Sequence, residues 1–200
     1  LLKNQIGIWS SEDVPILVAR TGYSGEAGFE IVLPADRVEA FWERALSVGH
    51  IGCLQPCGLG SRDTLRTEVC YPLYGHELDE TTSPVEAGLG IFVGWDKGEF
   101  VGRPILAAQK AGALSKKLIA FRMAGKSAPP RPGYPIWVAG ERVGSVVSGT
   151  QSPSLNVGIG MGYVPPGLAS VGGVIEIEIR GRNYAAEQVK KPVYHRPSTG

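Results

Sequence analysis

Three glycines alternate along GIGMGYV, at Gly158, Gly160 and Gly162, and Pro165-Pro166 follow close behind. The G-x-G-x-G spacing suggests a dinucleotide loop, but such a loop must open a helix, and two successive prolines do not let one propagate. The segment therefore reads as a strand. Alternating glycines leave one of its faces bare, so another strand or side chain can approach closely. Its neighbours agree: KKLIAFRM, PIWV, ERVGSVVSG and VIEIEIR are strand-like runs separated by turn residues, and in the last Ile175, Ile177 and Ile179 alternate with Glu176 and Glu178. From Ser115 onward the sequence predicts a small antiparallel barrel or sandwich.

The first half has another texture. VPILVART (14–21) and FEIVLP (29–34) read as strands, with Phe29, Ile31 and Leu33 on one face and Glu30 and Val32 on the other. ADRVEAFWERALSVG predicts a helix on the stripe Val38, Phe41, Trp42, Ala45 and Leu46, with Asp36 and Glu39 spaced as a capping box and Gly49 as the C-terminal cap. A second helix, SRDTLRTEV, presents Leu65 and Val69 on one side. DETTSPVEAGLGIFVGWDKGEFVGRP is too irregular for one element and reads as a structured connection ending in a short helix at ILAAQKAG. The order predicts an α+β chain with a boundary near 112–116, dividing it into 1–112 and 113–200.

Twenty basic and nineteen acidic side chains leave a net charge of +1 with no basic stripe, which argues against nucleic acid as the main partner. No apolar run approaches membrane-spanning length, so no membrane partner is expected. With 28 glycines and 15 prolines but no repeat, the chain suits β structure with many tight turns. Cys53, Cys57 and Cys70 make an odd count, which fits a reducing compartment better than a disulfide scaffold. The chain opens LLKNQIGIWS, without an initiator Met or a signal-peptide layout, and is expected to be part of a longer protein.

Chemistry concentrates in RTGYSGEAGFEI. A serine nucleophile turn needs G-x-S-x-G, whereas the order here is Gly22-Tyr23-Ser24-Gly25-Glu26. His50, Cys53 and Cys57 approach zinc spacing, but a structural site wants four ligands, and plain core cysteines are the stronger reading, so no metal is expected. Glu30 interrupts a strand just after the glycines, where its carboxylate can accept two N–H bonds from a flat heterocycle. Arg62 follows Cys57-Gly58-Leu59-Gly60-Ser61, and Tyr23 and Tyr71 offer flat faces. Together they suit a ligand with a planar head and an anionic tail. The plainer alternative puts Glu30 on a solvated face and pairs Arg62 with Asp63 or Glu68, and on these residues alone it is favoured.

ARTGYSGEAGFEI, CGLGSRDTLRTE, YPLYGHELDETTSPVEAGLG, DKGEFVGRPIL and SGTQSPSLNVGIGMGYVPP together resemble, in order and spacing, the T-protein (aminomethyltransferase) family of the glycine cleavage system. The likeness covers nearly the whole chain and reverses the balance. It implies transfer of a methylene group from an aminomethyl-lipoyl carrier protein, the H-protein, to tetrahydrofolate with release of ammonia. It implies Glu30 on the pterin, Arg62 as a second folate contact, Tyr23 and Tyr71 lining the cavity, and the tail around Arg196 closing it. The fold implied is part of a ferredoxin-like antiparallel lobe followed by a small antiparallel β-barrel or jelly-roll-like domain.

The sequence departs from the family in two respects that matter, one of them at the tail, KPVYHRPSTG, where more than one residue can match the family's folate-contacting C-terminal position. The N-terminal region, which in the family brings much of the cavity and an aspartate that assists the chemistry, has no counterpart here, so no catalytic residue is assigned and this chain alone is expected to be inactive. The implied location is the cytoplasm of a bacterium or the mitochondrial matrix of a eukaryote. Two alternatives stay open: the folate module of a flavin-linked N-methyl amine oxidase, and a non-enzymatic folate-binding scaffold, although the K-G-C motif of the latter is absent.

Overall fold

The computed structural model describes residues 1–11, 14–49 and 54–196. The chain divides into two compact units, Leu1–Leu65 and Arg66–Gly200. The first holds an antiparallel sheet in the order β1 (Ile6–Ser11), β2 (Val14–Ala19), β3 (Glu30–Val32), followed by α1 (Val38–Gly49). β1 is additional to the sequence reading. Its apolar Ile6, Ile8 and Trp9 leave no polar face to give the alternation by which strands are recognised. The expected capping box does not form: Ala35–Arg37 is a 3-10 turn after Pro34 without a side-chain cap, and Asp36 instead approaches Arg37 at 3.7 Å. Gly49 is the last residue of the helix rather than its cap.

α2 (Leu59–Glu68) corrects a second expectation. Leu65 and Val69 are only half-buried, while Arg66, Thr67 and Glu68 are buried. Arg66 Nη1 donates to Glu77 Oε2 at 2.8 Å and Nη2 to Ser148 Oγ at 2.7 Å; Glu68 accepts from Ser152 Oγ, from Ser154 N at 3.2 Å and from Ser154 Oγ at 2.9 Å. Hydroxyls and a counter-ion satisfy these charged ends, which is the condition for burying them. Through the same bonds residues 66–112, assigned from the sequence to the first part, share a compact unit with the barrel. The connection is built of turns, as expected. In it Ser83 and Glu86 bond reciprocally, Ser83 N to Glu86 Oε2 at 2.9 Å and Glu86 N to Ser83 Oγ at 3.1 Å, before α3 (Arg103–Lys110).

The remaining strands, β4 (Lys117–Met123), β5 (Pro135–Val138), β6 (Glu141–Ser152), β7 (Val157–Val164), β8 (Val174–Ile179) and β9 (Arg182–Val189), close a barrel in the order β4-β7-β6-β5-β8-β9. β9 is absent from the sequence reading and completes the closure by pairing with both β8 and β4. The bare face of β7 serves as expected. A Cβ on Gly160 would lie 2.5 Å from Phe121 Cζ and 2.7 Å from Ser148 O, and one on Gly162 would lie 2.5 Å from Ile136 Cδ1. Phe121 and Ile136 thus fill the barrel centre with Ile119, Ile175 and Ile177. A second cluster, Cys70, Leu118, Ala120, Met161 and Tyr163, lies on the opposite face of β4 and β7.

Burial shapes the titration of this second cluster. Burial pushes the Cys70 thiol up to about 11, outweighing a backbone hydrogen bond and the charge of Lys191. The Tyr163 hydroxyl is also raised, first by burial and then by Glu77, Glu86 and Asp79; it donates to Glu77 O at 2.7 Å.

Two measurements check this packing. Gly160→Ala should destabilise the chain by about 2 kcal/mol through overpacking, whereas Gly167→Ala, whose Cβ meets nothing within 4 Å, should change stability by less than about 0.5 kcal/mol in urea unfolding. Because the folded protein favours the Cys70 thiol over the thiolate, that stability is fully present below the unfolded pKa and lost as pH rises towards about 11. The wild-type chain should lose roughly 2 kcal/mol more than Cys70→Ala between pH 8 and pH 11. Parallel pH curves for the two proteins would show that Cys70 is not shielded in solution.

Candidate functional site

The glycine-rich turn lies between β2 and β3 of the first unit. Ala19 pairs with Glu30 in the ladder, so the ten intervening residues leave and rejoin the sheet at one level. Of its glycines only Gly25 needs positive φ, at 75°. Gly22 and Gly28 adopt ordinary backbone, and a Cβ on either would meet nothing within 4 Å. Their lack of a side chain is not required by the packing of the described residues. Gly58 and Gly60, ahead of Arg62, are equally open.

Two predicted site residues are brought together. The Arg62 guanidinium lies 4.4 Å from the Tyr23 ring centroid, a cation–π contact that holds an exposed arginine over a half-buried ring. Glu30 is exposed at the start of β3, and its Oε2 accepts the Thr21 hydroxyl. The alternative pairing of Arg62 with Glu68 is not formed, because both Glu68 oxygens accept from Ser152 and Ser154. Ser24 Oγ accepts from Glu26 N at 3.2 Å and braces the turn.

Tyr71 and Arg196 belong to the second unit, and both hang from the last turn of α2. Tyr71 N donates to Arg66 O at 2.8 Å, and Tyr194 N, two residues before the exposed Arg196, donates to Glu68 O at 2.9 Å. Tyr71 is 39% exposed. Arg66, whose Nη1 reaches Tyr71 O at 3.3 Å, belongs to a polar cluster that the sequence reading did not single out. His76 Nδ1 is 3.0 Å from Val147 O, to which it donates, and 3.4 Å from Ser148 Oγ, which also accepts from Arg66. Nothing local marks Arg66 as the buried arginine and Arg62, one turn earlier, as the exposed one. Of the dismissed zinc set, Cys57 is exposed, and His50 and Cys53 lie outside the described residues.

Comparison with known proteins agrees with this arrangement. Residues 8–97 match the family model for the GCVT N-terminal domain, and residues 116–195 match that for the glycine cleavage T-protein C-terminal barrel domain. Aminomethyltransferase from Moorella thermoacetica is 46% identical over 92% of this chain and 50% of the relative, and that from Symbiobacterium thermophilum is 47% identical over 92% and 49%. The crystal structure of glycine cleavage system aminomethyltransferase T from Bartonella henselae superposes with a TM-score of 0.82 at 30% identity, covering 90% of this chain and 50% of that one. The chain spans about half the length of these relatives. With both family models matched in sequence order, and with the sheet and closed barrel in place, this chain belongs to the glycine cleavage T-protein family.

Proposed function

We propose that the chain is the C-terminal part of a tetrahydrofolate-dependent aminomethyltransferase. One folate nitrogen displaces ammonia from the methylene carbon of an aminomethyl-lipoyl arm carried by an H-protein, a second folate nitrogen displaces the lipoyl sulfur as a thiol, and the methylene ends bonded to both nitrogens. The observation that carries this reading is the turn itself: open backbone at Gly22 and Gly28, a solvent-facing carboxylate at Glu30 and a cation fixed over Tyr23 by ring stacking. A flat heterocycle can approach such a backbone closely while a carboxylate accepts from its N–H edge. The names of the relatives support the same reaction class.

In this reading Glu30 holds the pterin, Arg62 is the second folate contact, and Tyr23, Tyr71 and Arg196 line or close the cavity. The folate-binding part lies within 1–112 and the barrel in 113–200. The protein works by positioning, since holding two reactants in line can lower a barrier by about 7–11 kcal/mol in the best cases. With its carboxylate engaged by the pterin edge, Glu30 is aimed away from the departing amine. The reading assigns no catalytic acid to this chain, and the chain alone should lack turnover. The reaction would take place in the cytoplasm of a bacterium or the mitochondrial matrix of a eukaryote.

The reading is tested in a protein that also carries the other half of its relatives' length. There Glu30→Gln places a donor against the pterin N–H groups and should weaken tetrahydrofolate binding by about 1–3 kcal/mol in calorimetry. Arg62→Ala should weaken binding while leaving the melting temperature nearly unchanged, since the arginine is exposed and its ring contact contributes only about 0.5–1 kcal/mol. Unaltered affinity in both variants removes these residues from the site. Ammonia release from aminomethyl-lipoyl carrier protein and tetrahydrofolate, assayed with this 200-residue chain alone, should stay at background. Turnover like that of the longer protein would locate the chemistry within this chain.

A further inference from the structure

The glycine-rich turn has two roots on the sheet, and a side chain at one root touches a side chain at the other. Thr21 follows β2, and Glu30 opens β3 opposite Ala19. Across the mouth of the turn the Thr21 hydroxyl donates to Glu30 Oε2. Among the described residues no cation pairs with the Glu30 carboxylate, and no other hydrogen bond reaches it.

Both ends of this bridge are anchored. On the Thr21 side, the preceding Arg20 donates its N–H to Gln5 O at 2.8 Å and accepts from Asn4 N at 3.0 Å. On the other side, Glu30 is held in the ladder by its pairing with Ala19. The two side chains use that anchoring differently. A β-branched threonine turns about one stiff χ1, so a fixed backbone places its hydroxyl. A glutamate carboxylate lies at the end of several rotatable bonds, and holding it still costs rotamer entropy when a ligand must do so. Thr21 is half-buried and Glu30 exposed, so the threonine is the better-fixed partner.

The bond also leaves the carboxylate able to bind. The hydroxyl takes one lone pair of Oε2, and each oxygen can still accept an N–H from a flat heterocycle. A neutral donor orients the group without bringing a competing cation against it.

We propose that Thr21 is a positioning residue for ligand recognition: its hydroxyl presets the Glu30 carboxylate to accept from two adjacent N–H donors on the pterin edge. The inference rests on the folate reading of Glu30.

Tetrahydrofolate affinity is measured by calorimetry in a protein that also carries the other half of its relatives' length. Thr21→Val, which keeps the shape and removes the hydroxyl, should weaken binding roughly three- to ten-fold, the range of one lost hydrogen bond. Thr21→Ser restores the donor and should recover most of that loss. In a Glu30→Gln background Thr21→Val should weaken binding much less than in the wild type, because the bond it removes serves the carboxylate. Ser24→Ala removes the brace on Glu26 N without touching Glu30, and its effect should be the same in both backgrounds. Any packing lost in Thr21→Val is common to both backgrounds, so the comparison isolates the coupling even if the melting temperature falls. Equal losses from Thr21→Val in the two backgrounds, no recovery in Thr21→Ser, or the same coupling for Ser24→Ala would overturn the proposal. So would unchanged affinity in Thr21→Val while Glu30→Gln weakens binding, and in that case the folate reading stands. Unchanged affinity in Glu30→Gln removes Glu30 from the site, and the role of Thr21 goes with it.

Discussion

The second unit depends on one buried ion pair. Arg66 and Glu77 both have fully buried side chains, and the 2.8 Å bond between them is backed by Ser148 Oγ on the arginine and by Leu73 N, at 3.0 Å, on the carboxylate. Taking two charges out of water is costly, and their attraction repays the cost only when the remaining donors and acceptors are met; here Glu77 Oε1 is buried without a hydrogen-bond partner among the described residues, so the pair is only partly compensated. Arg66 Nη1 also reaches Tyr71 O at 3.3 Å, and the Tyr163 hydroxyl reaches the Glu77 carbonyl. Together these bonds join four segments: the end of α2, the 71–77 turn, β6 and β7. The pair and its supporting bonds thus fix one relative placement of four segments, and a slip of α2 against the 71–77 turn would leave a charge buried without its partner. Its contribution is better described as register than as net stability.

That anchoring explains the composition of the barrel wall. Where the 66–90 segment lies over the strands, both faces of a strand are covered, and β4 accordingly reads as the nearly continuous apolar run Leu118-Ile119-Ala120-Phe121. β8 has no such cover, and it alternates: Ile175, Ile177 and Ile179 inward, with Glu176 and Glu178 only partly buried. Trp137 Nε1 donates to Glu178 on that outer face. Alternation marks a strand with one wet face, and its loss marks the wrapped sector. The glycines of β7 belong to the same arrangement. With the outer side of the strand closed by Met161 and Tyr163, the inner side must admit Phe121 and Ile136, and only a missing Cβ leaves room.

The legible parts of the fold are those where local chemistry and tertiary context agree. VIEIEIR, PIWV and GIGMGYV carry their periodicity or their missing side chains within a few residues, and each forms the strand it suggests. RNYAAEQV does not, because Asn183, Ala185 and Glu187 give it no β-branched face, and it is a strand only because β8 and β4 flank it on both sides. A single sequence also cannot tell Arg62 from Arg66. Both sit on one helix four residues apart; the first stacks on a ring contributed from the β2–β3 turn and the second meets Glu77 and Ser148. The distinction depends on distant partners. The candidate site was legible for the complementary reason, since its glycines and Glu30 lie within one short turn.

The two units differ in how their apolar surface is disposed, and this bears on recognition. Ala19 is the one buried hydrophobic side chain among the described residues of the first unit, α1 buries none of its residues, and Ile8, Phe29 and Trp42 are 74%, 60% and 52% exposed. A three-stranded sheet with one helix has little core of its own, and apolar surface on this scale calls for a covering partner. Glu30 and Arg62 sit on this lightly packed unit, held by one hydroxyl bond and one ring contact. On the proposed folate reading the Glu30 carboxylate has to be held to within a fraction of an ångström, and such precision comes from packing behind the side chain. The ordering cost of the site is therefore linked to the covering of the sheet. Whatever closes over Phe29 and Trp42 also stiffens the turn that carries Glu30, so ligand affinity and burial of the sheet should rise together.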